Sequence, residues 1–410
     1  MHYNYLMMKN KLIYLCLPLA VYFGSINLSN AQTDSTIYKS ILQTIESNKP
    51  KYAPDKRSKL LELVQVDIKN NKYTIQTTEH EVLPILKQEL KQFSPSINYT
   101  LLPDTSVQDK KYGIVQLSVA NLRSKPGHSE ELATQVLLGT KVDLLQKTRS
   151  DYRVRTPEGY IAWIPTSSVT AMDSLTYVNW QKAPKLIYTN EFGKSYSKPD
   201  QKSIRVSDLV YGNILTLTKE NKNFYEVKYP DGRTAFIPKD EGITFNKWLN
   251  TRDLTAENII NSAKSMMGLP YLWGGTSVKG VDCSGFTKTS FYMNGYVIPR
   301  DASQQVLAGD AVQILDESGK FNEELALKNL KPADLLFFAG GRTSRITHVA
   351  LYIGNGEFIH SAGTVRINSM LKDADNYDDF QTRTIVSAKR YIGAQDQQIK
   401  SIKEHSAYYN

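Results

Sequence analysis

The chain has 410 residues, a formal net charge of +9 and two cysteines. That length accommodates roughly two to four domains, each with its own core. The positive excess is spread along the chain, two units of it lying in Lys9 and Lys11, so neither a nucleic-acid tract nor a basic membrane patch is indicated.

In chain order, Lys9 and Lys11 precede an apolar run over 12–24, and Ser29-Asn30-Ala31 supplies small residues before Gln32. This predicts a signal peptide over 1–31, and the run is too short to span a bilayer. The bulky pair Tyr14-Leu15 ahead of Cys16 argues against a lipoprotein. A periplasmic or secreted protein without stable membrane insertion is therefore expected. Once the leader is removed Cys283 is the sole cysteine, so it cannot form an internal disulfide.

Residues 32–111 read as a small α+β region, with helices near 36–46 and 79–92 and strands at 63–68 and 73–77. No chemistry is evident in it. A repeat follows: Ser124-Lys125-Pro126 recurs as Ser197-Lys198-Pro199, Gly139 as Gly212, and Ile164-Pro165 as Ile237-Pro238, all 73 positions apart (199 minus 126). Short alternating strands between Gly, Pro, Asn and Asp turns predict two small β-barrels, at 112–174 and 184–246. At matching positions the first copy has Glu131 and Tyr160 where the second has Ile204 and Arg233. A polar bridge over 247–257 leads into an amphipathic helix, the start of a last domain over 252–395, and residues 396–410 read as a polar tail.

Asp282-Cys283-Ser284-Gly285 opens a helix after Pro270-Tyr271-Leu272-Trp273-Gly274-Gly275. A cysteine at a helix N-terminus meets free N–H groups and the positive end of the dipole, which favour the attacking thiolate. Such a nucleophile needs a base and a group that orients it. Of six histidines, His348 and His360 lie in a strand pair around Gly354-Asn355-Gly356. A three-residue loop there pairs His360 with Ala350 and sets both histidines on one face, roughly 7 Å apart at Cβ, whereas a two-residue turn sets them on opposite faces. The former register makes His348 the general base and His360 its orienting partner. Zinc on Cys283, His348 and His360 is the competing reading, and it lacks a fourth ligand.

Trp273-Gly274-Gly275, Asp282 to Phe286, Pro299-Arg300-Asp301, Asp334 to Phe338, His348 to Gly354 and Phe358 to Ser361, in that order, resemble the NlpC-type cell-wall cysteine peptidases. The resemblance implies an α+β multidomain chain of two SH3-like β-barrels followed by a papain-like α+β peptidase, with no cofactor or metal. With the two barrels ahead, the chain is similar to the γ-D-glutamyl-L-diamino acid endopeptidases, which act on peptidoglycan stem peptides or muropeptide fragments with a free N-terminal L-Ala. It further implies catalytic Cys283, His348 and His360, with Asp282, Tyr271 and Ser284 lining the substrate site. Glu131 and Tyr160 of the first barrel are placed with Asp282 around the substrate ammonium. The segment 310–331 is expected to be a surface excursion, and Arg300 and Asp301 a structural ion pair. A wall-binding protein with a degenerate peptidase scaffold, or acyl transfer to lipid, are the alternatives from other classes.

Overall fold

A computed structural model describes residues 28–340 and 345–408. The predicted leader up to residue 27 lies outside the described residues. A helix over Leu28–Tyr52 runs through the predicted cleavage point. It is longer than 36–46 because its apolar stripe of Ile37, Ile41 and Ile45 continues into Tyr52 and Ala53, all packed in one core. That core also takes Tyr73, Ile75, Val82 and Leu86 from a three-stranded sheet and the helix Val82–Glu89. The third strand, Ile97–Leu101, pairs in parallel with Lys72–Thr77 and was not foreseen, since its alternation is only five residues long.

Two seven-stranded sheets follow with one and the same strand order. In the first it is Val169–Met172, Tyr112–Val115, Lys141–Lys147, Asp151–Arg155, Ile161–Pro165, Val119–Arg123, Leu132–Leu137. Each strand of the second begins 73 residues after its counterpart (185 minus 112, 242 minus 169), so the sequence repeat is also a repeat of topology. Inward alternation builds a separate core for each: Leu122, Val142, Leu144, Val154 and Ile164 in one, Leu186, Leu215, Val227 and Ile237 in the other. The first part of the bridge expected to be polar, residues 247–250, belongs to the helix Phe245–Asn250, which buries Phe245, Trp248 and Leu249.

The last domain is built on a six-stranded sheet ordered Asp310–Ala311, Ile385–Arg390, Leu335–Phe338, His348–Gly354, Glu357–Ala362, Thr364–Ser369. Leu335, Phe337, Val349, Leu351 and Ile359 face the helices Ala256–Lys264 and Cys283–Tyr292 through Ile259, Ala263, Phe286 and Phe291. The opposite face, with Leu336, Phe338, Ala350, Tyr352 and Phe358, is covered by Ile314, Ala326 and Leu330. Residues 310–331, expected to be a surface excursion, thus also anchor Ile314, Ala326 and Leu330 in a core, while most of the segment's other residues stay at the surface. The tail is likewise packed: Lys400–Ser401 pairs with Tyr296–Val297, Ile402 is buried, and the buried His405 bonds through Nε2 to the carbonyl of Pro157 at 3.0 Å. No helix among the described residues is long and apolar enough to cross a membrane.

Candidate active site

Asp282 caps the helix of Cys283, with an extended backbone (φ −85°, ψ −178°) and Oδ1 accepting from the Gly285 N–H at 2.6 Å. Glycine is needed at 285, because a Cβ there would lie 1.9 Å from the carbonyl oxygen of Gly275. Gly274 (φ +77°) donates its N–H to Asp282 Oδ2 at 3.0 Å, and a Cβ on it would meet the carbonyl of Leu132, in the first β-unit, at 2.5 Å. Nucleophile loop and first β-unit therefore touch backbone to backbone.

Arg300, 1% exposed, completes this corner. It donates to Asp282 Oδ2 at 2.6 Å and Oδ1 at 3.1 Å, to Ser284 Oγ at 3.0 Å, and through Nε to Thr134 Oγ1 at 2.8 Å. Burial opposes its charge, but Asp282 and Asp301 more than offset that and hold it ionised. The principal ion pair is thus Arg300 with Asp282; Asp301 stands 3.7 Å away.

Cys283 is buried, and the backbone N–H groups of Val349 and Ser284 face its sulfur. Burial, with Asp282 adding to it, nonetheless pushes the thiol up to about 12. Burial next to His360 and Arg366 brings His348 down to about 3, and burial brings His360 to about 4. Near neutrality these shifts leave the thiol and both imidazoles uncharged in the free site, whereas the helix dipole alone favours the thiolate. Desolvation is the largest effect because Cys283 is only 7% exposed.

Both histidines stand on one face, as the active-site register requires. Leu351 pairs with Ile359, which places Ala350 opposite His360. The means differs from the expected three-residue loop: Asn355 and Gly356 (φ 53° and 77°) make a two-residue turn, and a bulge between Tyr352 and Gly354 shifts the register by one. His348 Nε2 lies 2.8 Å from His360 Nδ1, and His360 Nε2 lies 3.0 Å from Asn368 Oδ1. The Asn368 amide is oriented by its Nδ2 donating to the Asn376 carbonyl and by Arg366 Nε donating to Oδ1. An acceptor at Asn368 sets His360 as the Nε2–H tautomer, whose bare Nδ1 accepts from His348 Nε2–H. His348 is left with an unprotonated Nδ1 as its basic atom. Asn368 was missed in the sequence because the hairpin was read only as far as Ser361; the strand Thr364–Ser369 carries it alongside His360.

The remaining candidates fall as follows. Tyr271 lies near enough to Cys283 and Asp282 for both to add to the effect of burial, and its phenol rises to about 12, so it remains a proton donor. Ser284 is buried and donates to Asp282 Oδ1 at 3.2 Å. Glu131 is exposed at the edge of the first β-unit, its Oε1 accepting from Trp273 Nε1 at 2.9 Å. Tyr160 is buried in the core of that unit, its hydroxyl bonded to Asp301, with Arg300 and Arg57 nearby. The Asp282 carboxylate is already filled by Arg300 and three local donors, so Glu131 is the less committed of the two acids. Gln135 of the first β-unit also accepts from the Thr276 N–H at 3.1 Å and Ser277 Oγ at 3.2 Å. In the second unit Ile204 is 80% exposed, and Arg233 binds Asp231 at 2.7 Å and stacks on Tyr229. Among the described residues no group of three or more His, Cys, Asp or Glu is placed to hold a metal ion.

The model of the NlpC/P60 family matches residues 268–384, and that of the bacterial dipeptidyl-peptidase Sh3 domain matches 122–169. The chain is 33% identical to a γ-D-glutamyl-L-lysine dipeptidyl-peptidase of Bacillus cereus, over 57% of this chain and 68% of that one. It is 29% identical to dipeptidyl-peptidase 6 of Lysinibacillus sphaericus, over 63% and 91%. The crystal structure of an NlpC/P60 family protein from Bacillus cereus superposes with a TM-score of 0.56 at 26% identity, covering 68% of this chain and 99% of that one.

Proposed function

The chain belongs to the NlpC/P60 family of cysteine peptidases, and from that premise we propose that it hydrolyses the bond between γ-D-glutamate and the diamino acid of peptidoglycan stem peptides. The observation that carries this reading is the relay His348–His360–Asn368, which leaves His348 Nδ1 as its basic nitrogen, in a chain with one thiol among the described residues. Cys283 Sγ attacks the γ-carbonyl while His348 Nδ1 takes its proton. The tetrahedral oxyanion is met by the Cys283 N–H and the Tyr271 hydroxyl. His348 then gives the proton to the departing amine, leaving a thioester of the γ-glutamyl group, and water activated by the same nitrogen releases the acid and the thiol.

The second part of the proposal is selection for a free N-terminal L-Ala. The first β-unit touches the nucleophile loop, and its exposed Glu131 offers an acidic rim to an ammonium group, with Asp282 and Tyr160 behind it, held by Arg300 and Asp301. The Glu131 contact with Trp273 on the nucleophile loop supports this reading. An acylated nitrogen carries no charge and leaves Glu131 unpaired. The second seven-stranded sheet, identical in strand order to the first, is proposed as a second SH3-like unit that orients the enzyme towards wall fragments, in a secreted protein freed of residues 1–31. N-acetylation of an L-Ala-γ-D-Glu-diamino acid tripeptide is expected to lower kcat/KM by at least about tenfold, or 1.4 kcal/mol. Equal rates on the free and acetylated peptides would rule out ammonium selection.

A further inference from the structure

The nucleophile corner does not end at Arg300. Asp301 Oδ2 accepts from Arg57 Nη1 at 2.8 Å, and the same nitrogen reaches Ser303 Oγ at 2.8 Å. Arg57 belongs to the N-terminal region, 244 positions earlier in the chain. Its other donors, Nε and Nη2, grip Asp55 at 2.8 and 2.7 Å, and Asp55 Oδ2 accepts from Gln304 Nε2 at 2.8 Å. The segment is anchored: the Arg57 carbonyl accepts from the Ile161 N–H at 2.6 Å, and Leu60 packs with Leu102, Leu145 and Ile161. Charges therefore alternate without a break, Asp55, Arg57, Asp301, Arg300, Asp282, ending at the cap of the helix that begins with Cys283.

In this ladder Arg300 has two acids within reach, Asp282 at 2.6 Å and Asp301 at 3.7 Å. A carboxylate that is only a quarter exposed competes for the nearest cation unless another satisfies it. Arg57 does so with a 2.8 Å contact. We propose that Arg57 is a positioning residue of the peptidase: by pairing with Asp301 it leaves Arg300 to Asp282 and so fixes the start of the Cys283 helix. The N-terminal region, in which no chemistry was legible, thereby takes part in the active site without touching substrate. The inference rests on Cys283 as the nucleophile but on no particular substrate.

The test is therefore read on the thiol. Second-order alkylation of Cys283 by iodoacetamide is compared in the full chain for wild type, Arg57→Met, and Arg57→Met with Asp301→Asn. The single variant is expected to react about tenfold more slowly, because Asp301 then draws Arg300 from the cap. The double variant, which removes the competing charge, is expected to recover to within about threefold of wild type. If Arg57→Met fails to fold, recovery of both folding and reactivity in the double variant supports the ladder. Unchanged alkylation in the single variant, or a double variant as impaired as the single, would overturn the proposal. The expected alkylation pattern across the three proteins, alongside absent tripeptide hydrolysis by the wild type, would leave the ladder standing and count against the substrate reading alone.

Discussion

Replacing Cys283 by alanine is expected to reduce hydrolysis by roughly 10^4-fold or more, as removal of a nucleophile does in other acyl-transfer enzymes, while the fold persists. The thiol makes no side-chain hydrogen bond that anchors the helix; Asp282 and Arg300 do that. Removing one sulfur from a buried position leaves only a small void. Turnover and circular dichroism on the same sample check both halves. Residual turnover within a hundredfold of wild type would mean that another group attacks the carbonyl.

The largest expected effect on stability comes from Arg300→Met. Removing one partner of a buried, hydrogen-bonded ion pair costs about 3–5 kcal/mol, because the carboxylate left behind has lost both its water and its cation. Here Asp282 would lose two donors, Ser284 one and Thr134 one. The same reasoning gives under about 1 kcal/mol for Lys239→Ala, whose pairing with Glu220 is largely exposed. Lysine is expected to substitute poorly at 300, since three guanidinium nitrogens point in three directions and an ammonium cannot reproduce that fork. Denaturant unfolding followed by tryptophan emission distinguishes the two classes, and equal small losses for both would mean that water reaches the pair.

These residues also mark how far the sequence could be read. Cys283 stood out because a lone cysteine at a helix start is a local signal. The same-face placement of His348 and His360 was legible as a register question, and the strand pairing answers it through a bulge that no turn residue announces. The 73-residue spacing was visible because a repeat is a comparison of the chain with itself, and it reappears in every strand start. Arg300 holding Asp282, Asn368 behind His360 and Arg57 behind Asp301 were not legible. Each depends on side chains meeting across elements, and nothing in their local pattern differs from an ordinary surface residue. The same holds for Trp248, Ile402 and the 310–331 segment, whose apolar residues are too few to show periodicity yet are buried by neighbours far away in the chain.

The reading of the cleaved bond is tested most directly by mass spectrometry of the products from an L-Ala-γ-D-Glu-diamino acid tripeptide incubated with the wild-type enzyme. The expected products are the dipeptide L-Ala-D-Glu and the free diamino acid in equal amounts. Release of alanine, or an intact peptide after prolonged incubation with alkylatable Cys283, would contradict it.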